Sequence, residues 1–135
     1  MTDEVLVSVS TDADVVAARE KGRELSAGLG FSSIDLTLIV TAISELARNI
    51  LLYAERGEIV LRVDNDGRPG ITVIARDDGP GIPDLELAMR DSFSTGNGLG
   101  LGLPGARRLM DEFAIESEVS KGTTIVMKKW APDRV

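Results

Sequence analysis

At 135 residues the chain is long enough for one hydrophobic core and too short for two, so residues 1–135 read as a single domain. With 22 acidic against 15 basic residues, a net charge of −7, it lacks the basic surface that a nucleic-acid partner requires. It has neither histidine nor cysteine, so acid–base work falls to carboxylates, Lys or Tyr, and any bound metal is expected to be a hard cation on oxygen ligands.

The N-terminal MTDEVLVSVS is acidic, unlike a signal peptide. No apolar run approaches the ~18 residues of a membrane helix, so a cytoplasmic protein without membrane contact is expected. EVLVSVS (4–10) is rich in β-branched residues and reads as a strand. Thr11 and Asp14 form a capping-box signature for a helix that ends at Gly28 or Gly30. SSID opens a longer helix running to about Ala54. Ile34, Leu38, Ala42, Leu46 and Ile50, flanked by Ile39, Ile43 and Ala47, make a wide apolar stripe along it. EIVLRVDN (58–65) and ITVIARDD (71–78) read as strands of a hairpin around NDGRPG. A short amphipathic piece, DLELAMRD (84–91), precedes a glycine-rich stretch. LPGARRLMDEF (103–113) reads as a helix with Pro104 in its first turn. AIESEVS (114–120) and TTIVMKKW (123–130) form a last hairpin. Strands that follow one another as hairpins predict an α/β two-layer sandwich, its mixed, mostly antiparallel sheet carrying helices on one face.

Four stretches carry chemical possibilities. FSTGNGLGLGLPG (93–105) has five glycines in its last ten residues and runs into a helix, an arrangement that presents backbone N–H groups to an anion or simply makes a loop. Gly100, Gly102 and Gly105 spell the dinucleotide fingerprint, but the polar DSFSTGNG before them is no buried strand, and that reading fails. The P-loop pattern and the H-R-D and D-F-G kinase signatures are absent. DDGPGIPD (77–84) is either a tight turn or a strand-end carboxylate with close ligand approach. In SELARN, Glu45 and Asn49 lie one turn apart on one helix face, suited to a base and a hard-metal ligand, though a mid-helix Asn is commonly a solvated residue. In KGTT, Gly122 and Thr123 mark a hairpin turn from which Thr123 can offer a hydroxyl.

Asn on a helix, D-x-G-x-G after a hairpin strand, a glycine-rich run into a helix and a late Gly-Thr occur in one order. Over about residues 34–130 this set resembles the ATP-binding (Bergerat, or GHKL) domain shared by gyrase B, Hsp90 chaperones, histidine kinases and MutL. The resemblance implies ATP and Mg²⁺ as cofactors. Asn49 would ligate the metal and Asp77 would bind the adenine amino group, with Gly79 and Gly81 shaping the adenine pocket. Gly98, Gly100 and Gly102 would meet the phosphates, and Thr123 would support the adenine contact. Nearly the whole chain, through ISELARNI, FST..GLG.GLPG and RLMDEF, is similar to the serine/threonine switch kinases of the bacterial stressosome. Such kinases phosphorylate STAS-domain scaffold and antagonist proteins and, when released, activate a PP2C-type phosphatase; within them Glu45 would be the catalytic base. Anti-sigma kinases, which share the site and bind a sigma factor, are the alternative, but their helix resembles EAVTNA rather than SELARN. Many histidine kinases have a Lys three residues after the metal-binding Asn; here that place is Leu52.

Overall fold

The computed structural model describes residues 3–64, 68–82, 89 and 102–132. Strand β1 (Asp3–Val9) leads to helices α1 (Asp12–Ala27) and α2 (Ser33–Ala54), then strands β2 (Gly57–Asp64) and β3 (Gly70–Asp77). Helix α3 (Gly102–Leu109) and strands β4 (Glu112–Glu118) and β5 (Gly122–Trp130) complete it. The sheet order is β1-β2-β3-β5-β4.

Chain direction explains the pairing. Two successive helices return the chain to the end of the sheet it left, so β1 and β2 run antiparallel, with Val9 opposite Gly57. Strands β3 and β4 point the same way, but β5 lies between them and is antiparallel to both. The mixed sheet expected from sequence is therefore wholly antiparallel among the described residues. The amphipathic piece at 84–91 lies outside them except for Met89.

The caps behave as their residue types dictate. Thr11 Oγ1 accepts from the Asp14 N–H, and Asp14 Oδ2 accepts from the Thr11 N–H at 3.1 Å, completing the capping box. The Ser10 N–H, also on that carboxylate, holds Asp14 below the usual carboxylate range. Ser32 caps α2 by accepting from the Asp35 N–H.

The helices among the described residues gather on one face of the sheet, as expected, α1 and α2 against the strands and α3 against α2. Ile59, Leu61, Ile71, Val73, Ile125 and Met127 point into that layer and meet Ile39, Ile43, Leu46 and Ile50 of α2. Each such aliphatic side chain contributes roughly 1.5–3 kcal/mol by leaving water. The stripe read from sequence is right except at its start: Ile34 is 71% exposed and Leu38 only half-buried, because a strict four-residue spacing drifts around the helix, and Leu36 packs against the core in their place. By length and composition α2, at 22 residues, would pass as a membrane span, contrary to the sequence reading. Here it is the central core helix, buried at nearly every position from Ile39 to Ile50.

The helix expected over 103–113 stops at Leu109. The Asp111 N–H donates to the Lys128 carbonyl, and Glu112 and Phe113 pair with Lys128 and Met127. Extending β4 gives Phe113 a place against the core, which a further helical turn would not.

Glu55, at the C-terminus of α2, has φ 68°, a left-handed backbone that a side chain disfavours by roughly 1 kcal/mol. Glu55→Gly is expected to add about 0.5–1 kcal/mol of stability and raise Tm by roughly 3 °C in a thermal melt. An unchanged or lower Tm would show that the turn carries no such strain.

Candidate functional site

Two polar residues stand on the most buried part of α2. Glu45 is 5% and Asn49 4% exposed, so neither is the solvated surface residue that its type alone suggests. Burial obliges each to find a partner. Glu45 Oε1 takes the guanidinium of Arg48 at 3.1 Å, one turn along the same helix. Asn49 Oδ1 is buried and has no hydrogen-bond partner among the described residues. A neutral amide oxygen of that kind fits a hard cation, and so the donor set is compatible with Mg²⁺. No cluster of three metal-ligating acidic side chains exists among the described residues, so Asn49 would share such an ion with a ligand's own oxygens.

The second part of the site is the far end of β3. Asp77 pairs across the sheet with Thr123, and its Oδ1 accepts the Gly79 N–H at 2.9 Å. Burial raises the Asp77 carboxyl above its usual range; the Gly79 and Thr123 backbone hydrogen bonds oppose this, and the neighbouring Asp78 charge adds to it. A carboxylate partly stripped of water, at the end of a strand, is poised to accept from an external N–H donor.

The D-x-G-x-G turn after Asp77 is clamped by the β4–β5 hairpin. Ser120 N–H donates to the Pro80 carbonyl at 2.8 Å, and Ile82 N–H donates to Ser117 Oγ at 2.7 Å. Ser117 Oγ lies 2.7 Å from Thr123 Oγ1, so the residue that holds the turn also touches the neighbour of Asp77. Gly81 has φ 81°, and a Cβ there would fall 2.4 Å from the Glu118 carbonyl oxygen. Gly122 has φ 111°, and its Cβ would fall 2.0 Å from the Asp77 carbonyl oxygen. Both clashes are with backbone, which cannot swing aside.

Helix α2 joins the two parts. Gly79 sits against Ala54, so close that a Cβ would come within 2.5 Å of the alanine methyl. A rise of about 1.5 Å per residue then puts Asn49 roughly 7 Å and Glu45 roughly 13 Å from Ala54 along the helix. The site is elongated, with an acceptor at one end and a metal-ligand and base pair at the other. A cleft of about 1640 Å³ opens at the Asp77 end, lined by Ala54, Gly57, Asp77, Gly79, Ser117 and Gly122. It does not reach Glu45, Asn49 or Thr123, and the distances along α2 define the site better than this cleft does.

Of the residues expected from sequence, Asp77, Gly79, Gly81 and Thr123 lie at the corner where the β4–β5 hairpin meets the end of β3, and Glu45 and Asn49 stand apart from it along α2. Gly102 opens α3 with φ 54° and is buried; Gly98 and Gly100 lie outside the described residues. Ser117, Gly122 and the Arg48 ion pair were not singled out as site features. Arg48 and Glu45 stand three apart on a helix, a legible pairing signal, and the short turn at 119–121 places Ser117 opposite Thr123.

A raised carboxyl pKa has a sign that can be tested. The folded chain holds the Asp77 proton more tightly than the unfolded chain, so its contribution is present below the usual carboxylate range and lost as pH rises through the folded pKa. Asp77→Asn keeps an oxygen for Gly79 and removes the charge. Its Tm at neutral pH should match or exceed wild type, with the difference shrinking as pH falls into the carboxylate range. A clear loss of stability at neutral pH would mean that the charge supports the fold.

Comparison with known proteins identifies the family. The profile of the Histidine kinase-, DNA gyrase B-, and HSP90-like ATPase family matches residues 34–133. Serine/threonine-protein kinase RsbT of Bacillus subtilis (strain 168) is 51% identical over 131 residues, 96% of this chain and 98% of that protein. The Anti-sigma F factor of Geobacillus stearothermophilus is 37% identical over 103 residues, 70% of this chain and 69% of that protein. The crystal structure of the RsbU and RsbW domains of a Mycobacterium tuberculosis protein superimposes with TM-score 0.63 at 21% identity, covering 99% of this chain and 34% of that one. The fold, the ordered site residues and the extent of these matches place the chain in the histidine kinase-, DNA gyrase B- and HSP90-like ATPase family.

Proposed function

We propose that this chain is a serine/threonine protein kinase that lays ATP along α2, adenine at Asp77 and phosphates toward Asn49 and Glu45. The observation that carries the reading is the buried, unpartnered Asn49 Oδ1 one turn from a buried carboxylate, on the half of α2 whose end abuts the Asp77 turn. ATP use is supported by membership of an ATPase family, and kinase activity by the similarity, over nearly the full length, to a serine/threonine kinase.

Each residue then has a task its chemistry allows. Asp77 accepts a hydrogen bond from the adenine amino group, a charge-assisted contact of about 1.5–3 kcal/mol. Asn49 Oδ1 holds Mg²⁺, which, when bound, offsets the charge of the triphosphate and steadies its oxygens. Gly98, Gly100 and Gly102 offer backbone N–H groups to the phosphates. Glu45 takes the proton of a serine or threonine hydroxyl as that oxygen bonds to the γ-phosphorus. The bond to the bridging oxygen breaks, and ADP departs with the electron pair.

The partners we propose are STAS-domain scaffold and antagonist proteins as substrates and a PP2C-type phosphatase as the target of the released kinase, all in the cytoplasm. An anti-sigma factor kinase is the second reading, favoured by the 37% identity to Anti-sigma F factor. That match covers 70% of the chain against 96% for the switch kinase, which ranks the two.

Asn49→Ala should lose Mg²⁺-dependent ATP binding in calorimetry with a non-hydrolysable analogue; wild-type affinity for the magnesium complex would remove Asn49 from the site. Glu45→Gln should bind the analogue normally yet transfer labelled phosphate from ATP to a STAS domain about 10²–10⁴-fold more slowly in a single turnover. Near wild-type transfer would rule Glu45 out as base, and capture of a sigma factor instead of STAS proteins would favour the second reading.

A further inference from the structure

Arg48 does more than its exposure suggests. Its side chain is 51% exposed, whereas that of its partner Glu45 is 5% exposed. An arginine–glutamate pair at i and i+3 in full solvent contributes little to folding. Here one member is buried, on the stretch of α2 that carries Ile43, Leu46 and Ala47 into the core, where a carboxylate keeps little contact with water. A buried carboxylate has two needs: a counter-charge, and a hydrogen bond that fixes the torsion of its terminal group. Among the described residues the Arg48 guanidinium meets both, at Oε1.

We propose that Arg48 is a positioning residue for phosphoryl transfer: by holding Glu45 Oε1 it turns the other carboxylate oxygen toward the substrate hydroxyl. This rests on the assignment of Glu45 as the base. The contact with Glu45 uses Nη1 alone and commits that nitrogen to the carboxylate rather than to the phosphates.

The test is a double-mutant cycle on the full chain, with single-turnover transfer from ATP to a STAS domain as one readout and ATP-analogue affinity as the other. Arg48→Gln should transfer about tenfold or more slowly while binding the analogue within about twofold of wild type. Arg48→Lys, which keeps the charge, should recover much of the rate. In a Glu45→Gln background, Arg48→Gln should cost nothing further, because its effect runs through the carboxylate. The proposal is overturned if Arg48→Gln transfers at the wild-type rate or if Arg48→Lys is as slow as Arg48→Gln. Equal slowing by Arg48→Gln with and without Glu45 overturns it too, while leaving the base assignment intact. Wild-type transfer by Glu45→Gln is a different failure, since it removes the base assignment and this inference together.

Discussion

Burial of α2 on nearly every side is the constraint from which the rest of the molecule follows. A helix that closes the core against a five-stranded sheet must be apolar at most positions, and this one is, from Ile39 through Ile50. Carrying Glu45 and Asn49 through that layer costs stability unless each polar group is matched. Glu45 is matched internally by Arg48. Asn49 Oδ1 is not matched by any described residue. Ser26 Oγ is the other buried side-chain oxygen left without a partner among the described residues, but it stands on α1, whereas Asn49 lies one turn from a buried carboxylate, which is why the proposed site is placed on α2.

The opposite end of the site is organised by a different economy. Asp77 is anchored by backbone hydrogen bonds, yet burial still raises its carboxyl above the usual range. The fold tolerates this because the hairpin holds the turn from outside: Ser120 grips Pro80, and Ser117 grips Ile82 and Thr123 at once. Strain and desolvation are concentrated at one corner, while the surrounding sheet is regular. That distribution is common where affinity for a ligand opposes stability of the free protein.

Much of this was legible in the sequence because it rests on local signals. Helical spacing located α2 and put Glu45 and Asn49 on one face, and the glycine turn and Gly-Thr pair located the Asp77 corner. What escaped depends on contacts distant in the chain. Helix α3 was drawn four residues too long because Glu112 and Phe113 join β4 only once β5 is present to pair with them. The sheet was expected to be mixed because nothing local says that β5 inserts between β3 and β4. Ile34 belongs to the periodic stripe but not to the core, since a four-residue spacing drifts around the helix and Leu36 is the first-turn residue that meets the core. Ser117 and Gly122 look like ordinary turn chemistry until the hairpin is folded back on Asp77.

Electrostatics connects the two ends. A chain of net charge −7 must receive a polyanion against its own field. An isolated Glu45 near the phosphates would deepen that repulsion. Paired with Arg48 it presents no net charge, and Asn49 beside it is neutral. A metal ion held by an amide oxygen also keeps its full charge for the phosphates, where a carboxylate ligand would cancel half of it. The choice of Asn over Asp at position 49 and the pairing of Glu45 with Arg48 therefore answer the same problem. On the proposed placement of ATP, both would let an acidic protein keep a proton acceptor beside a triphosphate without repelling it.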